Sequence, residues 1–182
     1  MKLKTVNLSC IQSICRMNGG LAVSAEGQSD SLTLLWKKDL DVSMQTYSKH
    51  HIDSLVRMEN NSNMRFTEFY GHANPNMRNS SWEMLRKAGN SVQEDWVVEG
   101  DFNIILNNDD KECGRKKAQA DMQDFKDVMD KLALVDIKTN RGWFTWVNNR
   151  EGKNLVKERL DRYMVSINAI KNLPFMETNV VR

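Results

Sequence analysis

Carboxylates and imidazoles are the side chains that most readily move protons or hold hard cations, and here they fall at a few marked places. Trp96-Val97-Val98 is a short apolar run that ends at Gly100-Asp101-Phe102-Asn103. The pattern predicts a buried central strand that delivers polar residues at its C-terminal end, where active sites commonly gather. Taken alone, Asp101 and Asn103 fit a second reading equally well, in which both side chains satisfy backbone donors at a strand-to-turn junction. Tyr70 closes another strand-like run and by itself would be a core residue with a satisfied hydroxyl. Asp161 lies between Arg159 and Arg162, and an ion pair with either is its simplest use. His50, His51 and His72 read as surface or packing histidines. Cys10, Cys15 and Cys113 have neither CxxC spacing nor a neighbouring histidine pair, which argues against a disulfide framework and a structural zinc site. A reducing compartment is expected.

The elements that must position these residues belong to one domain. A chain of 182 residues with 40% hydrophobic content and two prolines can bury a real core, so disorder is not the reading. A mean hydropathy of −0.59 and 11 methionines point to a loosely specified interior. No stretch approaches the roughly 20 apolar residues that span a bilayer, and the N-terminus lacks the pattern of a signal peptide. The expectation is a soluble, unsecreted, intracellular chain without a membrane partner. Arg115-Lys116-Lys117 is too short for a nuclear signal, which leaves the nucleus open rather than indicated. The net charge of +2 hides an asymmetry: residues 1–110 carry 11 basic and 14 acidic side chains, residues 111–162 carry 13 and nine. The second half can therefore face a polyanion, although a solvated surface explains the charge as well.

The apolar pattern switches between strand-like and helical periods, the mark of a mixed α and β domain. Strands are expected at Leu32–Trp36, Val42–Tyr47, Ile52–Met58 and Met64–Tyr70, with short connections that favour antiparallel neighbours. Ser80 and Glu83 have capping-box spacing, Trp82 and Leu85 share a helical face, and Gly89 offers a stop, so a helix is expected near 80–88. A basic loop holding Lys111, Arg115, Lys116 and Lys117 precedes a second helix, whose Met122, Phe125, Met129 and Leu132 recur at three- and four-residue intervals. Strands at Trp143–Val147 and about Glu158–Val165 bracket an Asn148–Gly152 turn, and Glu177–Val181 begins another.

Three segments in order resemble the endonuclease domain of plant LINE-type retrotransposons, within the endonuclease/exonuclease/phosphatase family. They are Phe66-Thr67-Glu68-Phe69-Tyr70-Gly71-His72, then Gly100-Asp101-Phe102-Asn103, then Phe144-Thr145-Trp146 followed by Glu158-Arg159-Leu160-Asp161-Arg162. Gly27-Gln28-Ser29 leading into Leu34-Leu35-Trp36-Lys37 is similar to a Gly-rich lead in those elements, with Asp30 and Ser31 where glycines are expected. The resemblance spans roughly residues 20–181 and implies a divergent N-terminal segment, 1–20, before a partial domain, 21–182. The implied fold is an α/β (α+β) sandwich of two packed mixed β-sheets flanked by helices, expected here to be incomplete.

The same resemblance implies a chemistry, in which a divalent ion, usually magnesium, polarises a phosphodiester while water attacks in line. It makes Asp101 the aspartate that holds or activates the water, and Asn103 the amide that orients Asp101 and bonds the phosphate. It puts the Tyr70 hydroxyl on the scissile phosphate and makes Asp161 the carboxylate that orients a catalytic histidine. That histidine, in a Ser-Asp-His motif, has no counterpart before the chain ends, and residues 1–20 hold neither a Trp-Asn pair nor any acidic residue. Glu26 is the first carboxylate, and the metal-binding glutamate stays unassigned. DNA is the implied partner. Residues 138–162 carry seven basic and three acidic side chains interleaved with Trp143, Phe144 and Trp146, and Arg141, Arg150 and Lys153 are the candidates for phosphate contact. The competing reading buries both tryptophans. Three functions follow: a magnesium-dependent DNA endonuclease impaired by the missing groups, an inert mobile-element fragment with weak DNA binding, and a phosphatase of small phosphoesters.

Overall fold

Period-two alternation of apolar residues builds the first three strands of the main sheet. β3 (Asp41–Ser48), β4 (His51–Arg57) and β5 (Asn63–Tyr70) run as an antiparallel meander. The turn between β4 and β5 is held by the Asn60 Oδ1, which accepts from the Ser62 N–H, and by Asn61 in the left-handed region at φ 61°. β6 (Asp95–Asp101) then pairs parallel to β5. Parallel neighbours need a crossover, and a 3-10 turn at Pro75–Met77 with α2 (Arg78–Gly89) supplies it. β11 (Asp161–Ser166) lies antiparallel on the other side of β6, and β8 (Leu134–Ile137) closes the edge, giving the order β3-β4-β5-β6-β11-β8. The computed structural model describes residues 8–24, 31–173 and 176–178.

Helices cover one face of this sheet and a smaller strand pair lies on the other. α2 and α3 (Gln119–Lys131) place Trp82, Leu85, Phe125, Val128 and Met129 against Phe69, Trp96, Val98 and Met164. Aromatic rings run through that core, with Phe102 5.0 Å from Phe69 and 5.2 Å from Phe125 between centroids. On the opposite face β1 (Gly19–Ser24) and β2 (Ser31–Trp36) form an antiparallel pair, with α1 (Leu8–Cys15) before it, and β2 rests on β4 and β5. The far end of that face is closed by α4 (Ile167–Asn172), whose Ala169 packs on Val97 and Val165. A third sheet, β7-β10-β9, is made of two-residue strands: β7 (Lys111–Glu112), β9 (Trp146–Val147) and β10 (Lys157–Glu158). The expected mixed α and β architecture, sheets with helices outside, is the one found. Among the described residues no helix is long and apolar enough to cross a membrane.

Several local expectations are corrected. β2 pairs with β1 and not with its successor β3, because the Lys37–Leu40 connection carries the chain to the other layer. The Ser80/Glu83 capping box does not form. Helix α2 starts earlier, after Asn74 caps the 3-10 turn, and Ser80 Oγ donates back to the Met77 carbonyl at 2.6 Å. Gly89 is not a left-handed stop, since the C-cap is Asn90 in the right-handed region. The strand expected over Trp143–Val147 shrinks to its last two residues, and the one over Glu158–Val165 is split at Arg159-Leu160, where the Arg159 N–H turns to the Asp110 carbonyl and the Leu160 N–H to Thr145 Oγ1. Glu26 and the Gly27-Gln28-Ser29 lead lie outside the described residues, as does most of the strand expected at Glu177–Val181.

Candidate active site

Three neighbouring strands carry the candidate residues, and their register decides which of them meet. Tyr70 on β5 stands opposite Asp101 on β6, and Asp101 stands opposite Asp161 on β11. Asp101 ends β6, and the Gly100–Asn103 turn that follows is locked from both sides. Asp101 Oδ1 accepts the Asn103 N–H at 2.7 Å, Asn103 Nδ2 donates to the Gly71 carbonyl at 2.9 Å, and the Gly71 N–H donates to the Asp101 carbonyl at 2.7 Å. Asn103 sits at φ 54°, a left-handed conformation that asparagine tolerates. The side chains of this Asp-Asn pair satisfy backbone partners, and in doing so they are held at the end of the strand. Gly71 is required by the approach of the turn, since a Cβ there would lie 2.6 Å from the Phe102 carbonyl oxygen.

One row further along the same face, Glu68 stands opposite Glu99, and Glu99 opposite Tyr163. Neither glutamate was singled out in the sequence, although each lies two residues before a candidate, the spacing that shares a strand face. Burial, then Glu99 and Asp161, pushes the Glu68 carboxyl up to about 8. Glu99 is also raised, by burial and then Asp161, but it keeps solvent contact, so Glu68 carries the pH argument. The Tyr163 phenol is pushed up to about 12 by burial and then Glu99. Folded Glu68 holds its proton more tightly than the unfolded chain does, so its contribution to stability is present below about pH 4.5 and is lost as the pH rises towards 8. Glu68→Gln is expected to remove this decline and to raise stability at pH 8 by about 1–3 kcal/mol, discounted from the full shift because the side chain is only partly buried. Urea unfolding of both proteins at pH 5 and pH 8 checks it; parallel curves at the two pH values would discard the assignment.

Behind the row, strand alternation turns Arg162 to the face opposite Asp161, which overturns the ion pair expected between them. Arg162 and Arg159 are buried and bond instead to Asp110 and Asp136. Arg162 Nη2 reaches Asp110 Oδ2 at 2.5 Å and Nη1 reaches Asp136 Oδ2 at 2.8 Å, while Arg159 Nη2 reaches Asp136 Oδ1 at 2.9 Å. The Asp161 N–H donates to Thr145 Oγ1 at 3.0 Å, and its side chain is exposed. Buried Arg78, also unmarked in the sequence, donates to the Asn103 carbonyl at 3.2 Å and to Asp121 at 3.1 Å, tying both core helices to the site turn.

The basic candidates are exposed and flank the same end of the sheet. Arg141 lies in the loop after β8, and Arg150 and Lys153 lie in the connection between β9 and β10, which leads into β11 at Asp161. Lys111 and Lys117 of the basic loop are engaged by Glu158. The two tryptophans divide: Trp143 is half-buried, donating to the Asp109 carbonyl with Arg159 stacked 4.6 Å over its ring, whereas Trp146 is 42% exposed and so not the core residue of the competing reading. His51 packs as expected, against Ser48, Thr46 and Met84. His50 lies beside Tyr70, and His72 lies beside His50. Among the described residues no three His, Cys, Asp or Glu side chains converge to hold a metal ion. The described donors thus do not by themselves enclose a cation.

No family model and no curated protein matches the sequence. Solved structures do match the fold. The endonuclease domain of TRAS1, a telomere-specific non-LTR retrotransposon, superposes with a TM-score of 0.70 at 15% identity, over 94% of this chain and 83% of that one. The 3' phosphatase NExo from Neisseria, bound to product DNA hairpin, gives 0.64 at 16% identity, over 92% and 74%. An endonuclease/exonuclease/phosphatase family protein from Bacteroides thetaiotaomicron gives 0.54 at 13% identity, over 88% and 65%. The fold of this chain is the one those proteins share.

Proposed function

We propose that this chain is a DNA endonuclease-like domain of plant LINE-type retrotransposon origin, built to hold a phosphodiester and impaired in turnover. The observation that carries the reading is the alignment of Tyr70, Asp101 and Asp161 across three adjacent strands, with Asn103 fixed at the turn beside them. Support also comes from the similar structures, two of which are named as a retrotransposon endonuclease domain and a phosphatase bound to DNA. In this reading Asp101 orients the attacking water, Asn103 and Tyr70 bond the phosphate, and Arg141, Arg150 and Lys153 contact the flanking backbone. Asp161 would orient an imidazole, yet among the described residues it has no histidine partner. A general base and a bound metal each contribute about 10²–10⁴-fold or more, so turnover is expected to be slow wherever neither is supplied.

Conversion of supercoiled plasmid to nicked circle, with and without magnesium and beside Asp101→Ala, tests this. Metal-dependent nicking that falls at least about 10²-fold in the variant is the result expected of a working nuclease. Salt-sensitive DNA retention by a folded chain without nicking would leave binding as the whole function. Hydrolysis of a soluble phosphoester without DNA cleavage would assign the site to small phosphoesters and defeat the proposal.

A further inference from the structure

Two histidines that play no part in the carboxylate row meet on the other side of β5, where His50 faces Tyr70 and His72 faces His50. His50 stands in the turn between β3 and β4, and His72 follows β5 by two residues. Their ring centroids are 4.3 Å apart at an interplanar angle of 51°, and the His50 ring lies nearly parallel to that of Tyr70 at 6.4 Å. The backbone fixes both: the Tyr70 N–H donates to the His50 carbonyl at 2.8 Å, and the His72 N–H donates to Ser81 Oγ on α2 at 3.0 Å. Both side chains are half-buried.

The pair has what an anion site needs. Among the described residues His50 Nδ1 is buried without a hydrogen-bond partner, and a native protein rarely leaves such an atom unused. The charged groups acting on His50 are His72 from the loop after β5, and Lys49 and His51 from its own hairpin, with no carboxylate among them. Burial first, and then these positive groups, lower the proton affinity of His50, against a backbone hydrogen bond with Tyr70 that raises it. An oxyanion entering beside Tyr70 would supply the missing negative charge and an acceptor for the imidazole N–H groups.

We propose that His50 and His72 form a phosphate oxyanion subsite beside Tyr70, filled by a backbone phosphate of a polynucleotide when the pair carries one proton. The choice of polynucleotide rests on the phosphodiester reading above; the oxyanion chemistry itself is shared by free phosphate. The test follows the imidazole proton resonances of the full chain during titration with inorganic phosphate and, separately, with a short DNA duplex. Duplex affinity is then measured by anisotropy at pH 6 and pH 8 for the wild type, His72→Gln and His51→Gln. The His50 and His72 resonances are expected to move with both ligands, and duplex binding to be about tenfold tighter at pH 6, the scale of one charge-assisted hydrogen bond. That ratio should collapse in His72→Gln and persist in His51→Gln. Should His72→Gln misfold, the wild-type resonances still decide. Movement with inorganic phosphate alone would keep the subsite and remove the polynucleotide. Duplex binding that leaves both resonances still and shows the same pH ratio in His72→Gln would overturn the subsite while the phosphodiester reading stands. A folded chain that binds no duplex and shifts with neither ligand would overturn both.

Discussion

Asp110→Ala is expected to cost about 3–5 kcal/mol of folding stability, a large share of what a domain of this size commonly has. Asp110 is fully buried. Its Oδ2 accepts from Arg162 at 2.5 Å, from the Leu106 N–H at 2.9 Å and from the Asn107 N–H at 3.2 Å, and its carbonyl accepts the Arg159 N–H at 2.8 Å. Removing the carboxylate leaves two backbone donors unpaired and two buried guanidinium groups sharing Asp136 alone. The loss of a buried charge partner is far more damaging than the absence of the whole network would be, because the remaining charge cannot return to water without opening the fold. The damage also reaches the site, since Arg159 and Arg162 flank Asp161 and their bonds set where β11 begins. Urea unfolding of Asp110→Ala beside Asp161→Asn measures the contrast: the exposed Asp161 should cost under about 0.5 kcal/mol. Equal losses for the two would show that the buried network is not what holds this end of the sheet.

Gly100→Ala is expected to be comparably severe, at about 3–5 kcal/mol, through backbone geometry rather than charge. Gly100 has φ 140°, which side-chain-bearing residues rarely adopt, and a Cβ there would fall within the van der Waals envelope of the Phe69 carbonyl oxygen. Relief requires β5 and β6 to part at the Phe69–Gly100 row, next to the one where Tyr70 meets Asp101. The variant should therefore lose both stability and whatever DNA affinity or nicking the wild type shows, whereas on the proposed function Asp101→Ala should lose nicking with the fold retained. Thermal unfolding and plasmid binding of the two variants, side by side, check this; a stable Gly100→Ala with wild-type binding would show that the strands tolerate separation.

The parts of the fold that were legible in the sequence are those written in local periods. β2 to β5 and the two core helices follow from alternation at two and at three or four residues, because each buries one face against a neighbour, and β6 follows from a continuous apolar run buried on both faces. β8 was not legible: Leu132-Ala133-Leu134-Val135 continues the apolar pattern of α3 without a glycine or proline. The break falls at Ala133, which takes φ 51° with its N–H on the Asp130 carbonyl. The two-residue strands β7, β9 and β10 are too short for any period. Their pairing is set by contacts from Glu158 to Lys111 and Lys117, residues more than 40 positions apart.

The resemblance carried by three short segments, more than spacing by itself, marked Tyr70, Asp101, Asn103 and Asp161, because strand ends and short motifs are local properties of the sequence. Only the tertiary structure decided what stands beside them. Strand register places Glu68 and Glu99 in a second acidic row, and alternation turns Arg162 away from Asp161 into a buried pair with Asp110. The hairpin and the loop past β5 bring His50 and His72 together across 22 residues of sequence. The physical reason is common to all three: a side chain's direction is a local matter, but its neighbours are fixed by which strands pair and in what register, and long-range packing sets that pairing.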